Sequence, residues 1–314
     1  MTMPLTRRSF LREVGAGTLV ATVGLDLASE LGFAAQAEEV SAARLTFGEL
    51  EPLVRLMQDT PPDRLLPEVV ERWRGGLPLK ALTAAGALAN ARSFGGEDYI
   101  GYHTLMALSP ALHMSRELPG EEQVLPILKV LHRNTRRIQE RGGGEVPHPV
   151  PADLPALEAG EEALRTAVRG RDLPKAERLL ARSAQASAEQ AFNELLLAVQ
   201  DETEVHRTVL PYRAWDLMDL IGRDHAAALL RQSVHYCVQS ESRRSSSSEC
   251  RTVLPNLLEE YQLLERSPGT RPVDDAWVAS LSDTFFQSTP AEAARAAAAA
   301  LAEGVDPRAV GEAL

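Results

Sequence analysis

This 314-residue chain is poor in the residues on which several common folds and sites depend. Aromatic residues make up 5% of it, and no stretch alternates Val, Ile or Thr with polar residues, so nothing indicates β-strands. Its two cysteines form no C-x-x-C pair, which excludes a cysteine-based structural zinc site and a c-type haem attachment. No G-x-G-x-x-G, P-loop or G-x-S-x-G sequence supports a nucleotide cofactor or a serine hydrolase.

Lysine is also scarce, and acidic residues outnumber basic ones. The chain has 33 basic and 44 acidic residues, a net charge of −11, and its only lysines are Lys80, Lys129 and Lys175. An acidic chain without a basic cluster is not expected to bind nucleic acid.

The N-terminal segment has the features of an export signal. Residues 6–11 read T-R-R-S-F-L, an apolar stretch follows to about Val23, and Ala35-Gln36-Ala37 precedes Glu38. This pattern resembles a twin-arginine signal and predicts that the Tat translocase exports the protein and that residues 1–37 are removed. The mature protein would be periplasmic or otherwise extracytoplasmic, without an integral membrane span. An uncleaved signal anchor is the alternative, although the apolar stretch is short and rich in glycine.

The remaining sequence predicts an all-α fold, because Ala, Leu, Glu and Arg dominate it and apolar residues recur at helical spacing. Helices are predicted over residues 47–58, 61–73, 79–92, 99–117, 121–140, 179–198, 202–221 and 224–238. A first helical unit would span residues 38–141, a Gly/Pro linker 142–156 and a second helical unit 157–240. Residues 241–314 would form a serine-rich loop and C-terminal helices, one of them starting at a Thr289–Glu292 capping box.

Two points in this last region stay open. Cys237 and Cys250 flank the serine-rich loop, and either a disulfide or two separate thiols is compatible with their positions. Asp306-Pro307 is typical of a new helix start, yet only a few residues follow before Leu314. This pattern suggests a truncated reading frame or fragment.

Two histidine pairs share one spacing. His103 and His132 are 29 residues apart, as are His206 and His235, and each histidine is 103 residues from its counterpart. The same separation relates two further identical pairs, Asn90 with Asn193 and Asp98 with Asp201. We interpret this as a duplication of helical-hairpin units that form a bundle or a short α-solenoid.

The number of residues between each histidine and the turn of its predicted helical hairpin suggests a metal site. Each pair would lie level at one end of an antiparallel hairpin, and two hairpins packed with pseudo-twofold symmetry would bring four imidazoles together. Four neutral nitrogen ligands suit iron, copper, zinc or nickel, and we expect iron. The alternative is that all four are ordinary, partly buried helical histidines.

Two further side chains are candidates for this site. Lys129 precedes His132 by three residues on the same helical face, where it would be either desolvated beside a ligand or extended into solvent. Glu202 precedes His206 by one turn. It would act as a ligand, as an acceptor that orients the imidazole, or as an acid favoured at a helix N-terminus.

The duplicated units, read with the sequence H-R-T-V-L-P-Y-R-A-W-D-L at residues 206–217, resemble the questin-oxidase-like family over roughly residues 80–240. The resemblance implies a mononuclear non-haem iron centre held by four histidines, with a carboxylated lysine in some members, and oxygen-dependent cleavage of aromatic polyketides. The matching positions are His103, His132, His206 and His235, with Lys129 as the lysine. Fungal enzymes of that group carry no bacterial export signal, so their substrate class is not transferred.

Two functions follow from the sequence. The first is an exported, metal-dependent oxidoreductase that acts on an unidentified small molecule at a four-histidine site. The second is a non-catalytic periplasmic helical-repeat protein that binds another protein.

Overall fold

The structure is a computed structural model that describes residues 45–94, 99–141, 150, 152, 160–202, 204–242 and 250–314. These residues form fourteen α-helices and no β-strand, which confirms the all-α prediction. The predicted export signal, the center of the Gly/Pro linker and the serine-rich loop lie outside the described residues. None of the helices in the described part of the chain is long and apolar enough to cross a membrane.

The helices fall into two groups, before and after the predicted linker. Those before the linker are α1 (Glu51–Asp59), α2 (Pro62–Arg74), α3 (Leu79–Phe94), α4 (Tyr99–Ser115) and α5 (Leu125–Glu140). Those after it are α6 (Glu161–Arg169), α7 (Leu173–Ala186), α8 (Ala188–Val199), α9 (Val205–Ile221), α10 (Ala226–Ser240), α11 (Cys250–Glu260), α12 (Asp275–Gln287), α13 (Pro290–Ala302) and α14 (Pro307–Glu312).

The single helix predicted over residues 179–198 is wrong, because α7 and α8 are separate helices that meet at Ser187. This residue has an extended backbone, and its hydroxyl accepts a hydrogen bond from the backbone N–H of Gln190. Ser187 and Gln190 have the spacing of a capping box, so the sequence contains a signal for a new helix start at this position. The capping box predicted at Thr289 and Glu292 is present at the start of α13.

The chain divides into two compact units, Met1–Asp153 with Arg213–Gln232, and Leu154–Tyr212 with Ser233–Leu314. Both α9 and α10 therefore contribute a segment to each unit. The structure does not show the internal duplication. Its proposed counterparts differ in burial, since Asn90 is buried and Asn193 is exposed.

The first unit is built around α3, in which every residue from Leu82 to Phe94 is buried. Small residues let the neighbouring helices approach closely. At Gly86, for example, a Cβ atom would lie only 2.5 Å from the Leu131 side chain of α5, so a larger residue would not fit without a shift of its neighbours. A helix that is buried on all sides must satisfy its polar side chains inside the protein.

Asn90 of α3 is the centre of a buried hydrogen-bond network. Its Nδ2 atom lies 2.9 Å from the carbonyl oxygen of Gly101, 2.9 Å from Thr104 Oγ1 and 2.7 Å from Asn134 Oδ1. Gln232 Nε2 of α10 donates to Asn90 Oδ1 at 2.6 Å. One side chain therefore links α3 to α4, α5 and α10.

The second unit contains a buried ion-pair cluster. The fully buried Asp201 side chain accepts hydrogen bonds from Arg165 and Arg169 at 2.7–3.0 Å. Burial opposes ionisation of this carboxyl, but the hydrogen bonds and charges of the two arginines outweigh it, so the pKa of Asp201 is lowered.

A small apolar cluster organises the C-terminal helices of the second unit. Its buried members are Leu281, Ala300, Val305, Val310 and Ala313, with Trp277 and Phe285 packed against them. The segment that precedes α12 is fixed by a parallel β-bridge between Arg271 and Val305.

We predict that Asn90→Ala lowers the free energy of unfolding by about 2–4 kcal/mol, because it removes the acceptor of the buried Gln232 amide and one of the donors to Asn134. Urea unfolding measures the change. Asn193→Ala is the matched control, and its exposed position predicts a change within about 0.5 kcal/mol. Equal effects of the two substitutions would contradict the network.

We predict that Asp201→Asn destabilises the protein by roughly 3–5 kcal/mol at pH 7, because it removes the buried carboxylate that pairs with the buried Arg165 and with the more exposed Arg169. Since the pKa of Asp201 is lowered in the folded state, its stabilisation is complete above its usual pKa and is lost as the pH falls through the lowered value. Unfolding measured from pH 7 down to about pH 3 should therefore show a weaker pH dependence in Asp201→Asn than in the wild type. Asp219→Asn, at an exposed position, should keep the wild-type dependence.

Candidate functional site

A surface pocket of about 420 Å³ lies between α4 and α5. Its lining residues are Tyr99, Ile100, His103, Thr104 and Ala107 of α4, with Lys129, Val130 and Arg133 of α5. The pocket thus brings together two of the side chains predicted for the functional site, His103 and Lys129.

Across this pocket, residues 99–107 of α4 face residues 129–133 of α5. Lys129 and Arg133 are one helical turn apart and share the pocket side. His132 does not line the pocket, since each residue turns the helix by about 100° and His132 is rotated away from Arg133. It is half-buried on a different side of α5.

His103 is held by the first turn of its own helix. Its Nδ1 atom donates to the carbonyl oxygen of Tyr99 at 2.7 Å, and the two rings pack edge to face with centroids 4.4 Å apart. With the proton on Nδ1, the neutral ring presents Nε2 as its acceptor nitrogen. The two rings form an aromatic wall at one end of the pocket.

The charged side chains of the pocket are cationic. Lys129 and Arg133 are both exposed, and no carboxylate in the described ranges forms an ion pair with either. Farther along α5, Arg136 and Arg137 both pair with Glu140, at 3.0 and 3.1 Å. Lys129 is exposed to solvent. Of the two environments predicted for it, this is the solvent-exposed one and not the desolvated one.

His235 forms a buried pair with a carboxylate that the sequence analysis missed. Its Nε2 atom lies 2.5 Å from Glu177 Oε1 of α7. His235 is 8% exposed, and its Nδ1 atom has no hydrogen-bond partner among the described residues. Glu177 is remote in sequence and belongs to no motif, so only the tertiary structure reveals this pair.

A carboxylate that the sequence analysis did not consider, Glu204, lies beside His206. His206 Nδ1 lies 2.6 Å from Glu204 Oε1, and the imidazole packs against the Tyr236 ring with centroids 5.2 Å apart. The prediction for Glu202 assumed that the helix begins at residue 202, whereas α9 begins at Val205. Glu202 therefore precedes the helix and is not one turn below His206 on its face.

Glu204 also caps the start of α9. Its Oε2 atom accepts hydrogen bonds from the backbone N–H groups of His206 and Arg207 at 2.9 and 3.1 Å. Partial burial opposes its ionisation, but the hydrogen bonds from His206 and from the Arg207 backbone lower its pKa. Glu204 is therefore an anionic acceptor that fixes the orientation of the His206 ring.

Cys237 is a free thiol that is completely buried. Burial raises its pKa to about 11, although the nearby Arg207 acts in the opposite direction. At neutral pH this thiol is protonated, and it is therefore not an activated nucleophile.

The described side chains contain no group of three or more His, Cys, Asp or Glu residues placed to hold a metal ion. The structure therefore adds no support for the centre predicted from His103, His132, His206 and His235, and that centre stays a prediction.

Comparisons with known protein families, with curated proteins and with solved structures give no match for this chain. Its function is therefore argued from the chemistry of its own sites.

Proposed function

We propose that this is an exported protein that binds a small organic molecule in the pocket between α4 and α5. The pocket itself carries the proposal. Its volume of about 420 Å³ falls within the range of about 300–1,000 Å³ that small-molecule sites occupy. Export is proposed from the twin-arginine pattern at residues 6–11.

The composition of the walls suits a ligand with an apolar body. Ile100, Ala107 and Val130 supply aliphatic surface, and the rings of Tyr99 and His103 supply aromatic surface. The lining also includes polar groups, which belong to His103, Thr104, Lys129 and Arg133. Small-molecule sites usually combine apolar walls, which supply affinity, with polar groups, which orient the ligand.

The helices that carry these residues are held rigidly. Thr104 lines the pocket and also bonds to the buried network, with its Oγ1 atom 2.9 Å from Asn90 Nδ2 and 3.0 Å from Asn134 Oδ1. A pocket on two packed helices is preorganised and loses little conformational entropy when a ligand binds.

We predict that the neutral fluorescent probe N-phenyl-1-naphthylamine binds the wild-type protein with a Kd on the order of 100 μM. Ala107→Trp fills the pocket with an indole ring and should weaken binding by about tenfold or more, measured by fluorescence titration. Ala279→Trp places the same ring at an exposed position of α12 and serves as the control. Unchanged affinity in Ala107→Trp would show that the probe binds elsewhere.

A second candidate function is the metal-dependent oxidoreductase expected from the sequence. One observation favours it. One ring nitrogen of each of three histidines lies within hydrogen-bond distance of an oxygen atom. For His103 this is the backbone carbonyl oxygen of Tyr99. For His206 it is the carboxylate of Glu204, and for His235 it is the carboxylate of Glu177. Metal-binding histidines are oriented in this way, because the bonded nitrogen fixes the tautomer and leaves the other nitrogen for the metal.

This candidate predicts about one transition-metal ion, preferentially iron, per chain in protein purified from its native host. His103→Ala, His132→Ala, His206→Ala and His235→Ala should each reduce the metal content severely, measured by plasma mass spectrometry. His148→Ala, in the predicted linker, is the control. Wild-type metal content in all four single variants would eliminate the four-histidine centre without affecting the pocket proposal.

A further inference from the structure

We infer that the ligand of the α4–α5 pocket is an aromatic carboxylate. The inference rests on the proposed binding function and names the chemical class that the pocket would select. It combines two features of the lining, a pair of cations that form no ion pair with a described residue and a wall made of two rings.

The charge of the pocket is unusual for this protein. The chain has a net charge of −11, yet both formally charged residues in the pocket lining are cationic. Elsewhere arginines are commonly neutralised by nearby carboxylates, as Arg72 is by Glu68 and Arg74 is by Glu121. Lys129 and Arg133 have no such partner in the part of the chain that the structure describes.

The spacing of these cations suits one anionic group. Lys129 and Arg133 are four residues apart on α5, so their side chains emerge one turn apart on the same side. Arginine presents a planar pair of N–H donors that matches a carboxylate, and lysine adds a compact positive charge. A cationic organic ligand would be repelled by the same pair.

The remaining lining residues indicate which chemical group accompanies the carboxylate of the ligand. Tyr99 and His103 lie edge to face at 4.4 Å between centroids, and Ile100 and Val130 supply apolar surface from the two helices. A planar ring can pack against these groups while its carboxylate reaches the cations. A long hydrophilic chain would leave the apolar surface uncovered.

The test compares 2-naphthoate with 2-naphthamide, which has nearly the same shape but no charge. Isothermal titration calorimetry of the full mature protein at pH 7.5 should show tighter binding of 2-naphthoate by about tenfold. Lys129→Met and Arg133→Gln should each weaken 2-naphthoate binding by about threefold to fivefold and leave 2-naphthamide unchanged. Raising the ionic strength should weaken only the binding of the anion.

Lys80→Met and Arg116→Gln are the matched controls, because both replace exposed cations of the first unit outside the pocket. Each should retain wild-type affinity for 2-naphthoate. A second comparison addresses Glu97 and Asp98, which precede Tyr99 in the sequence and lie outside the described residues. The double variant Glu97→Gln/Asp98→Asn should bind 2-naphthoate within about twofold of the wild type.

Three results would overturn the inference. Equal affinity for the two naphthyl compounds, with binding still blocked by Ala107→Trp, would reject the carboxylate class and retain the pocket. Binding of 2-naphthoate only after the Glu97/Asp98 replacement would show that the protein neutralises the cations itself. Failure of both naphthyl compounds and of N-phenyl-1-naphthylamine to bind would reject the proposed binding function together with the inference.

Discussion

From Leu82 to Phe94 every residue of α3 is buried, so its polar side chains must find their partners within the protein. Arg92 does so through the carboxylate of Glu51, at 2.8 Å, and the amide oxygen of Gln58, at 2.7 Å. Asn90 does so through the network that reaches α4, α5 and α10. An unsatisfied buried charge or amide would cost several kcal/mol, and these bonds therefore select one arrangement of the surrounding helices.

The candidate pocket depends on the same arrangement. Thr104 bonds to Asn90 and Asn134 and also lines the pocket on α4, while Asn134 belongs to the helix that carries Lys129 and Arg133. The network consequently fixes the rotation of both helices about their axes. This rotation places His103 and Lys129 on the pocket side and turns His132 away from it.

Charged residues have two different environments in this protein. In the second unit, Arg165, Arg169 and Arg207 are tied to the buried carboxylates of Asp201 and Glu241, where they hold the packed helices together. In the first unit, Lys129 and Arg133 are exposed on a concave surface and make no ion pair with a described residue. The first arrangement serves stability, and the second leaves positive charge available to a ligand.

The local sequence determined the helical class and most helix boundaries. Alanine and leucine at helical spacing predicted the helices, and the capping residues at Thr289 and the proline at Pro62 marked two of their starts. The break at Ser187 was not predicted, although its capping residues are present in the sequence. The start of α9 was placed three residues too early, so Glu202 was expected inside the helix, one turn before His206.

Only the tertiary structure decided which side chains meet. The separation of 103 residues relates Asn90 to Asn193, but one is buried in a polar network and the other is exposed, because burial depends on the helices that pack around each position. The same reason explains His235, whose partner Glu177 lies on α7, and Lys129, which shares a pocket with His103 and Arg133. Sequence spacing fixes how far along a helix a residue lies, whereas packing fixes the direction in which its side chain points and the groups that it contacts.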